Sequence, residues 1–303
     1  MPLDLLTGEE FSRNDLEQLF VLAAELKAGR GSENSPKPLK NKSIGTIFAK
    51  SSTRTRVSFE VGIHELGGQS LYLDQSKTQM GRGETVADTA RVLSRYLHGI
   101  VIRTYSQKEV EELAEYADIP VINALTDDFH PCQAFTDYFT ILEYAKTFDG
   151  IKMAYLGDGS SNMANSLMQT AKVLGVHFEI AAPEEFRPRA DLMAQNLGPG
   201  SVSWTTDPME ALKDADFIYT DVWVSMGFEE ESKKRMATLS PYQLDMAKLK
   251  AAKPNVKVLH CLPAHRGEEI TDEVMESEHS IVFDEAENRL HVQKAILCTL
   301  IPS

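Results

Sequence analysis

The densest chemistry in the sequence is Lys50-Ser51-Ser52-Thr53-Arg54-Thr55-Arg56, where four hydroxyls and two guanidiniums follow a β-branched run and open an amphipathic stretch. A strand-to-helix turn gathers unpaired backbone N–H groups and the positive end of the helix dipole, which makes it an anion site. Arginine adds a planar fork for two phosphate oxygens, and hydroxyls satisfy the remaining lone pairs. The ligand this describes is a phosphate or an acyl phosphate. The plainer reading is a Ser/Thr helix cap beside exposed arginines. In a chain of net charge −14, such a cationic knot favours the anion site.

His130-Pro131-Cys132-Gln133 also stands at a strand-to-helix junction. Pro131 suits a first helical turn, setting His130 near the N-cap and Gln133 one turn in. A neutral histidine there can donate to a carbonyl oxygen while the glutamine amide fixes the same group from the other side. Taken alone, a capping role for His130 is the simpler account. Gly157-Asp158-Gly159-Ser160-Ser161-Asn162 opens like a dinucleotide fingerprint but has Asn162 where the third glycine belongs. A Rossmann cofactor is therefore the weaker reading, and a zwitterionic amino acid against Asn162 is the alternative. Asp221-Val222-Trp223-Val224-Ser225-Met226-Gly227 and His260-Cys261-Leu262-Pro263-Ala264 each follow a short β-branched run, at the strand ends where parallel sheets form ligand crevices. An Asp and a Cys converging there can hold an ammonium group and help remove its proton. Each residue also has a bland account, Asp221 as a cap or turn and Cys261 as a small buried side chain.

The elements needed to present these clusters are legible as strand-like runs at 44–49, 70–73, 100–103 and 121–123, then at 151–156, 178–181, 217–220, 256–259 and 281–283. They alternate with helical patterns, the signature of βαβ units, so the class is α/β with a parallel sheet flanked by helices in each of two domains. Ser12-x-x-Asp15 has capping-box spacing before the first helix. Phe148-Asp149-Gly150 breaks the pattern and places the domain boundary, giving domains at 1–149 and 150–284. Residues 285–303 form a last helix, with Leu290, Ile296, Leu297 and Leu300 largely on one face and able to pack back on either domain.

A length of 303 residues agrees with two domains. With 31 Lys+Arg against 45 Asp+Glu, a nucleic-acid or anionic-membrane partner would need strong local clustering. Cys132, Cys261 and Cys298 are odd in number and lack C-x-x-C spacing, which argues against a disulfide framework or a zinc site and suggests a reducing cytoplasm. Asp4, Glu9 and Glu10 stand where a signal peptide would be basic then apolar, and no apolar run approaches the roughly 18 residues that span a bilayer.

Together the clusters resemble the transcarbamylase family over essentially the full chain. Ser-Thr-Arg-Thr-Arg at 52–56 and His-Pro-x-Gln at 130–133 are similar to motifs shared with its aspartate branch, whereas Asp-x-x-x-Ser-Met-Gly at 221–227 and His-Cys-Leu-Pro at 260–263 mark its ornithine branch. The resemblance implies an amino-terminal carbamoyl-phosphate domain, a carboxyl-terminal ornithine domain and a final helix returning to the first. It implies that Ser52, Thr53, Arg54 and Thr55, with Arg103, hold the phosphate. His130, Gln133 and Arg289 would then address the carbamoyl group. Gln79, in Gln79-Met80-Gly81-Arg82-Gly83-Glu84, would reach a neighbouring subunit's site in a homotrimer. Asn162, Asp221, Ser225 and Met226 would hold ornithine, with Cys261 and Leu262 beside its reacting end. Gly159-Ser160-Ser161 and the acidic Phe228-Glu229-Glu230-Glu231 depart from the family's usual stretches without removing a contact residue. His265-Arg266-Gly267-Glu268 looks like members serving arginine biosynthesis.

The implied reaction moves the carbamoyl group of carbamoyl phosphate to the side-chain amine of L-ornithine, giving citrulline and phosphate. It requires no metal, redox cofactor or covalent enzyme intermediate. In it Asp221 and Cys261 serve the amine, Thr55, Arg103 and His130 serve the carbonyl oxygen, and Arg54 with Arg56 steadies the departing phosphate. Two alternatives stand beside this reading. One is a transcarbamylase for putrescine or an N-acylated ornithine. The other is a non-catalytic phosphate- or nucleotide-binding protein, for which the Gly157–Asn162 turn is the best feature.

Overall fold

A computed structural model describes residues 3–32, 35–224 and 232–302. They sort into two compact units, Met1–Thr136 with Glu287–Ser303, and Asp137–Ala286.

The first unit opens with helix α1 (Arg13–Ala28), whose Ser12 cap and Asp15 side chain bond reciprocally as the capping-box spacing requires. Strands β1 (Ser43–Phe48), β2 (Gln69–Asp74), β3 (Gly99–Arg103) and β4 (Val121–Leu125) pair in the order β2-β1-β3-β4, all parallel. The crossovers carry helices α2 (Arg54–Glu65), α3 (Val86–Leu93) and α4 (Gln107–Tyr116), and α5 (Pro131–Ala145) follows β4. Strands β1, β3 and β4 are buried along nearly their whole length, as β-branched runs covered on both faces should be. Edge strand β2 differs, with Leu71 and Tyr72 exposed.

The second unit has strands β5 (Lys152–Leu156), β6 (His177–Ala181), β7 (Ser201–Thr205), β8 (Phe217–Thr220) and β9 (Lys257–Leu259), parallel in the order β7-β6-β5-β8-β9. Its helices are α6 (Asn162–Leu174), α7 (Ala190–Ala194), α8 (Pro208–Leu212), α9 (Ser232–Leu239), α10 (Met246–Leu249) and α11 (Asp272–Met275). A buried cluster including Leu156, Ile218, Leu244, Val258, Ile270 and Val282 forms its core. The last helix, α12 (Val282–Leu300), has its residues from Glu287 onward grouped with the first unit.

Two details of the sequence reading change. Residues 281–283 are not a strand: Ser280 makes one bridge to Val258, Ile281 donates to the Val258 carbonyl, and helix α12 begins at Val282. Acidic Asp284 and Glu285 in the following turn suit a helix N-terminus better than a strand. Edge strand β7 carries no strand signal in the sequence, because Ser201-Val202-Ser203-Trp204-Thr205 has a short, mostly polar pattern. The contact division falls inside α5 and α12 rather than at a Gly- or Pro-rich linker.

Candidate active site

In the first unit, the carboxyl ends of β1, β3 and β4 lead to Ser52–Thr55, Arg103 and His130 respectively. Thr53 precedes α2 without capping it through its side chain, so the first-turn N–H groups have no cap from that hydroxyl. This is the polarity of an anion site. Thr53 and Arg54 are exposed, while Thr55 is buried. The Thr55 hydroxyl oxygen accepts from Arg103 Nη1 and from Arg289 Nη2, each at 3.2 Å. Arg289 also donates through Nη1 to Gln133 Oε1. Residues remote in the sequence are thus drawn to one hydroxyl. A threonine oxygen offers two lone pairs and one proton, so with both lone pairs taken by guanidiniums its proton is directed to a further acceptor.

His130 is buried at the start of α5, and its carbonyl accepts from Gln133 N and Ala134 N. Burial, reinforced by the charges of Arg289 and Arg103, holds its pKa well below the usual histidine range. It therefore stands as a neutral imidazole. Gln79 is exposed at the start of a tight loop in which its carbonyl accepts from Arg82 N and Glu84 N. It takes no part in the bonds joining Thr55, Arg103, Gln133 and Arg289. Arg56 is engaged by Glu60 at 2.7 Å and lies 3.8 Å over the Tyr72 ring, which leaves Arg54 as the motif's outward guanidinium.

Several supporting pairings have no signal in the sequence. Buried Lys50 pairs with Asp127 and lies 4.3 Å over the Tyr105 ring, linking the phosphate motif to the turn before His130. Gln293, with its amide oriented as its neighbours require, accepts from Arg289 Nε at 3.1 Å and donates to Ser58. Spacing alone does not reveal Lys50 with Asp127 or Gln293 with Ser58, because each joins segments far apart in the chain, whereas Gln293 and Arg289 are four residues apart on α12.

In the second unit, Asp221 and Cys261 follow β8 and β9. Buried Asp221 Oδ1 accepts from the Cys261 thiol at 3.1 Å and from Val222 N at 2.8 Å. Burial raises the Asp221 pKa above the ordinary carboxylate value. Burial first, then the Asp221 charge, pushes the Cys261 thiol well above its own. Cys261 is therefore a protonated donor and Asp221 the basic member of the pair. Both nitrogens of buried His260 are in use, Nδ1 accepting from Leu262 N at 2.9 Å and Nε2 donating to Glu269 Oε1 at 3.0 Å. His260 N donates to Glu285 Oε2. These bonds hold Leu262 at a φ of 55°, a left-handed conformation rare for leucine.

Asn162 is the first residue of α6, half-buried, directly after the Ser161 cap, whose hydroxyl meets Ala164 N and the Tyr155 hydroxyl at 3.1 Å. Of the glycines in the preceding turn, Gly159 serves close packing and Gly157 supplies a φ of 134°. A Cβ at Gly159 would lie 2.9 Å from the Phe186 carbonyl, and one at Gly157 would lie 3.5 Å from Trp223 Nε1. Asp158 pairs with Arg235, which also donates to the Trp223 carbonyl at 2.8 Å. Ser225 and Met226 lie outside the described residues.

Metal-ligand atoms of Asp221, His260 and Cys261 lie within 4.8 Å of one another. The committed histidine nitrogens and the protonated thiol make this a poor ligand set as it stands. His265, Glu268 and Glu269 form a second such group, in which Glu269 already serves His260 and His265 N.

One parallel α/β unit presents a helix start without a side-chain cap beside the Arg103 and Arg289 guanidiniums, and the other presents a buried Asp–Cys pair. Residues 3–143 match the carbamoyl-P binding domain of aspartate/ornithine carbamoyltransferase, and residues 149–300 match its Asp/Orn binding domain. The chain belongs to the aspartate/ornithine carbamoyltransferase family. An ornithine carbamoyltransferase from Syntrophotalea carbinolica is 50% identical, over 99% of this chain and 100% of that protein. Another from Methanosarcina acetivorans is also 50% identical with the same coverage. The ornithine carbamoyltransferase structure from Pyrococcus furiosus superposes with a TM-score of 0.94 at 46% identity, covering 98% of this chain and 96% of that one.

Proposed function

We propose that this protein is an ornithine carbamoyltransferase, with carbamoyl phosphate taken by the first unit and L-ornithine by the second. The observation that carries the first half is the Thr55 hydroxyl accepting from both Arg103 and Arg289. Its remaining proton, the Arg103 guanidinium and neutral His130 are donors suited to the carbamoyl oxygen. Ser52, Thr53 and Arg54 at the uncapped start of α2 suit the phosphate. Gln133, fixed by Arg289, suits the carbamoyl amide.

The second half rests on Asp221. Its raised pKa makes it a better base than an ordinary carboxylate, and the Cys261 thiol donates toward it. Asp221 takes a proton from the ornithine ammonium. The freed amine lone pair attacks the carbamoyl carbon, the nitrogen's surplus proton passes to a phosphate oxygen, and collapse of the tetrahedral intermediate breaks the carbon–oxygen bond to phosphate, which leaves with the electron pair. Asn162 and, by family likeness, Ser225 and Met226 receive the amino-acid head, with Leu262 beside the reacting amine. No step calls for a cofactor.

We further propose a homotrimer in which Gln79 completes a neighbour's site. Its support is the open edge of β2, where Leu71 and Tyr72 are exposed together with Val57 of α2. A cytoplasmic role in arginine biosynthesis is in keeping with the three free cysteines and the His265–Glu268 segment. Among the described residues no helix is long and apolar enough to cross a membrane.

The test is citrulline formation from ornithine and carbamoyl phosphate, run beside putrescine and N-acetylornithine. Turnover confined to ornithine supports the proposal, and turnover only with another amine overturns it. Thermal shift by carbamoyl phosphate but not NAD separates catalysis from nucleotide binding.

A further inference from the structure

The first turn of α4 joins two parts of the first unit that are distant in sequence. Glu109, half-buried there, accepts through Oε1 from Gln75 Nε2 at 2.5 Å and through Oε2 from the Thr104 hydroxyl. Both donors are neutral, so each bond is charge-assisted by the carboxylate. Buried Thr104 directly follows Arg103, and its N–H donates to the Leu125 carbonyl at 3.0 Å. Gln75 is the root of the loop that carries Gln79. Its carbonyl accepts from Thr78 N at 3.1 Å and the Thr78 hydroxyl at 2.8 Å, after which the Gln79 carbonyl accepts from Arg82 N and Glu84 N.

We propose that Glu109 is a positioning residue for carbamoyl phosphate, fixing the Gln79 loop against the strand end that bears Arg103. The inference rests on the reading that Gln79 serves this substrate. A carboxylate is the suited side chain because its two oxygens accept from two donors at once, whereas glutamine would turn its NH₂ toward one of them. The neighbouring Gln107 runs a separate branch of the same turn, accepting from Asn123 Nδ2 at 3.2 Å and Thr126 Oγ1 at 2.9 Å. That branch leads toward His130, so one helical turn serves two approaches to the site.

The test measures Glu109→Ala, Glu109→Gln, Gln75→Ala and the double variant Gln75→Ala/Glu109→Ala in the assembled enzyme. The expected result is a KM for carbamoyl phosphate raised about tenfold or more in Glu109→Ala, with the KM for ornithine unchanged. Gln75→Ala should reproduce most of that rise, the double variant should add little to it, and Glu109→Gln should recover part of it. Co-assembly with His130→Ala chains then separates the two layers of the reading. At low carbamoyl phosphate, activity above the sum of the parents means that Glu109 acts through a loop lent to a neighbour. A raised KM without such recovery keeps the positioning role and overturns the shared site. An unchanged KM, fully additive Gln75 and Glu109 effects, or a rise in both KM values with parallel falls in kcat and melting temperature overturns the proposal.

Discussion

Asp221→Asn separates what this carboxylate does for the fold from what it does for catalysis. Because burial raises its pKa, the folded chain holds the proton more tightly than the unfolded chain does. That contribution to stability is full below the unfolded carboxylate range and is lost as pH rises through the folded pKa. The asparagine oxygen still accepts from Cys261 and Val222 N without an ion to desolvate. Melting scans should show the variant matching or exceeding the parent at pH 8, with the difference shrinking toward acid. Citrulline formation should fall by about a hundredfold or more. A variant less stable at both pH values would contradict this account of the site. Ornithine's amine titrates near the lysine value of about 10.4, so the parent's rate should climb between about pH 7 and 9. Cys261→Ser should bind ornithine nearly as well but turn over more slowly, and a parental kcat would remove the thiol from the mechanism. Arg54→Ala should keep its melting temperature, because the side chain is exposed, while losing about one to two decades of carbamoyl-phosphate affinity in titration. At this scale the sequence was informative wherever a cluster was contiguous, as at Ser52–Thr55 and Cys261–Leu262. It was silent on Lys50 with Asp127 and His260 with Glu269, because pairing there depends on burial and on strands that bring distant segments together.

Among the elements, α6 ends in an unusual tie. Buried Lys172 donates from one ammonium to the carbonyls of Leu192, Met193 and Gln195 at 2.6, 2.8 and 2.7 Å, closing the end of α7 and the residues after it against its own helix. Burial draws the Lys172 pKa down, so some of the gain is offset by desolvation. Lys172→Met removes all three donors while keeping most of the apolar stem, and should cost about 1–3 kcal/mol in denaturant unfolding. Stability equal to the parent would mean that solvent replaces the ammonium without loss. Most strands were readable from β-branched runs between turn residues. Polar β7 escaped because its register is set by β6 beside it, and 281–283 misled because an apolar triplet reads alike at a helix start and in a strand.

For the whole molecule, the trimer proposed from the open edge of β2 and the exposed Val57, Leu71 and Tyr72 carries the prediction that activity depends on assembly. Specific activity should fall on dilution in step with dissociation followed by sedimentation. A fully active monomer would remove Gln79 from the shared site. The two-unit plan was legible in the alternation of strands and helices. The contact division within α5 and α12 was not, because an uninterrupted helix carries no composition change to mark it.

The position of Arg289 also bears on how the protein is made. Its bonds to Thr55 and Gln133 mean that the proposed carbamoyl-phosphate site, most of whose residues leave the ribosome first, is completed last. Throughout synthesis of Asp137–Ala286, the surface that α12 will cover stays open, including Gly62, where a Cβ would come within 3.1 Å of Lys294 and 3.5 Å of Leu290. Nascent chains halted in that interval should engage chaperones through this surface and should not protect carbamoyl phosphate, and release of the final helix should end both conditions together.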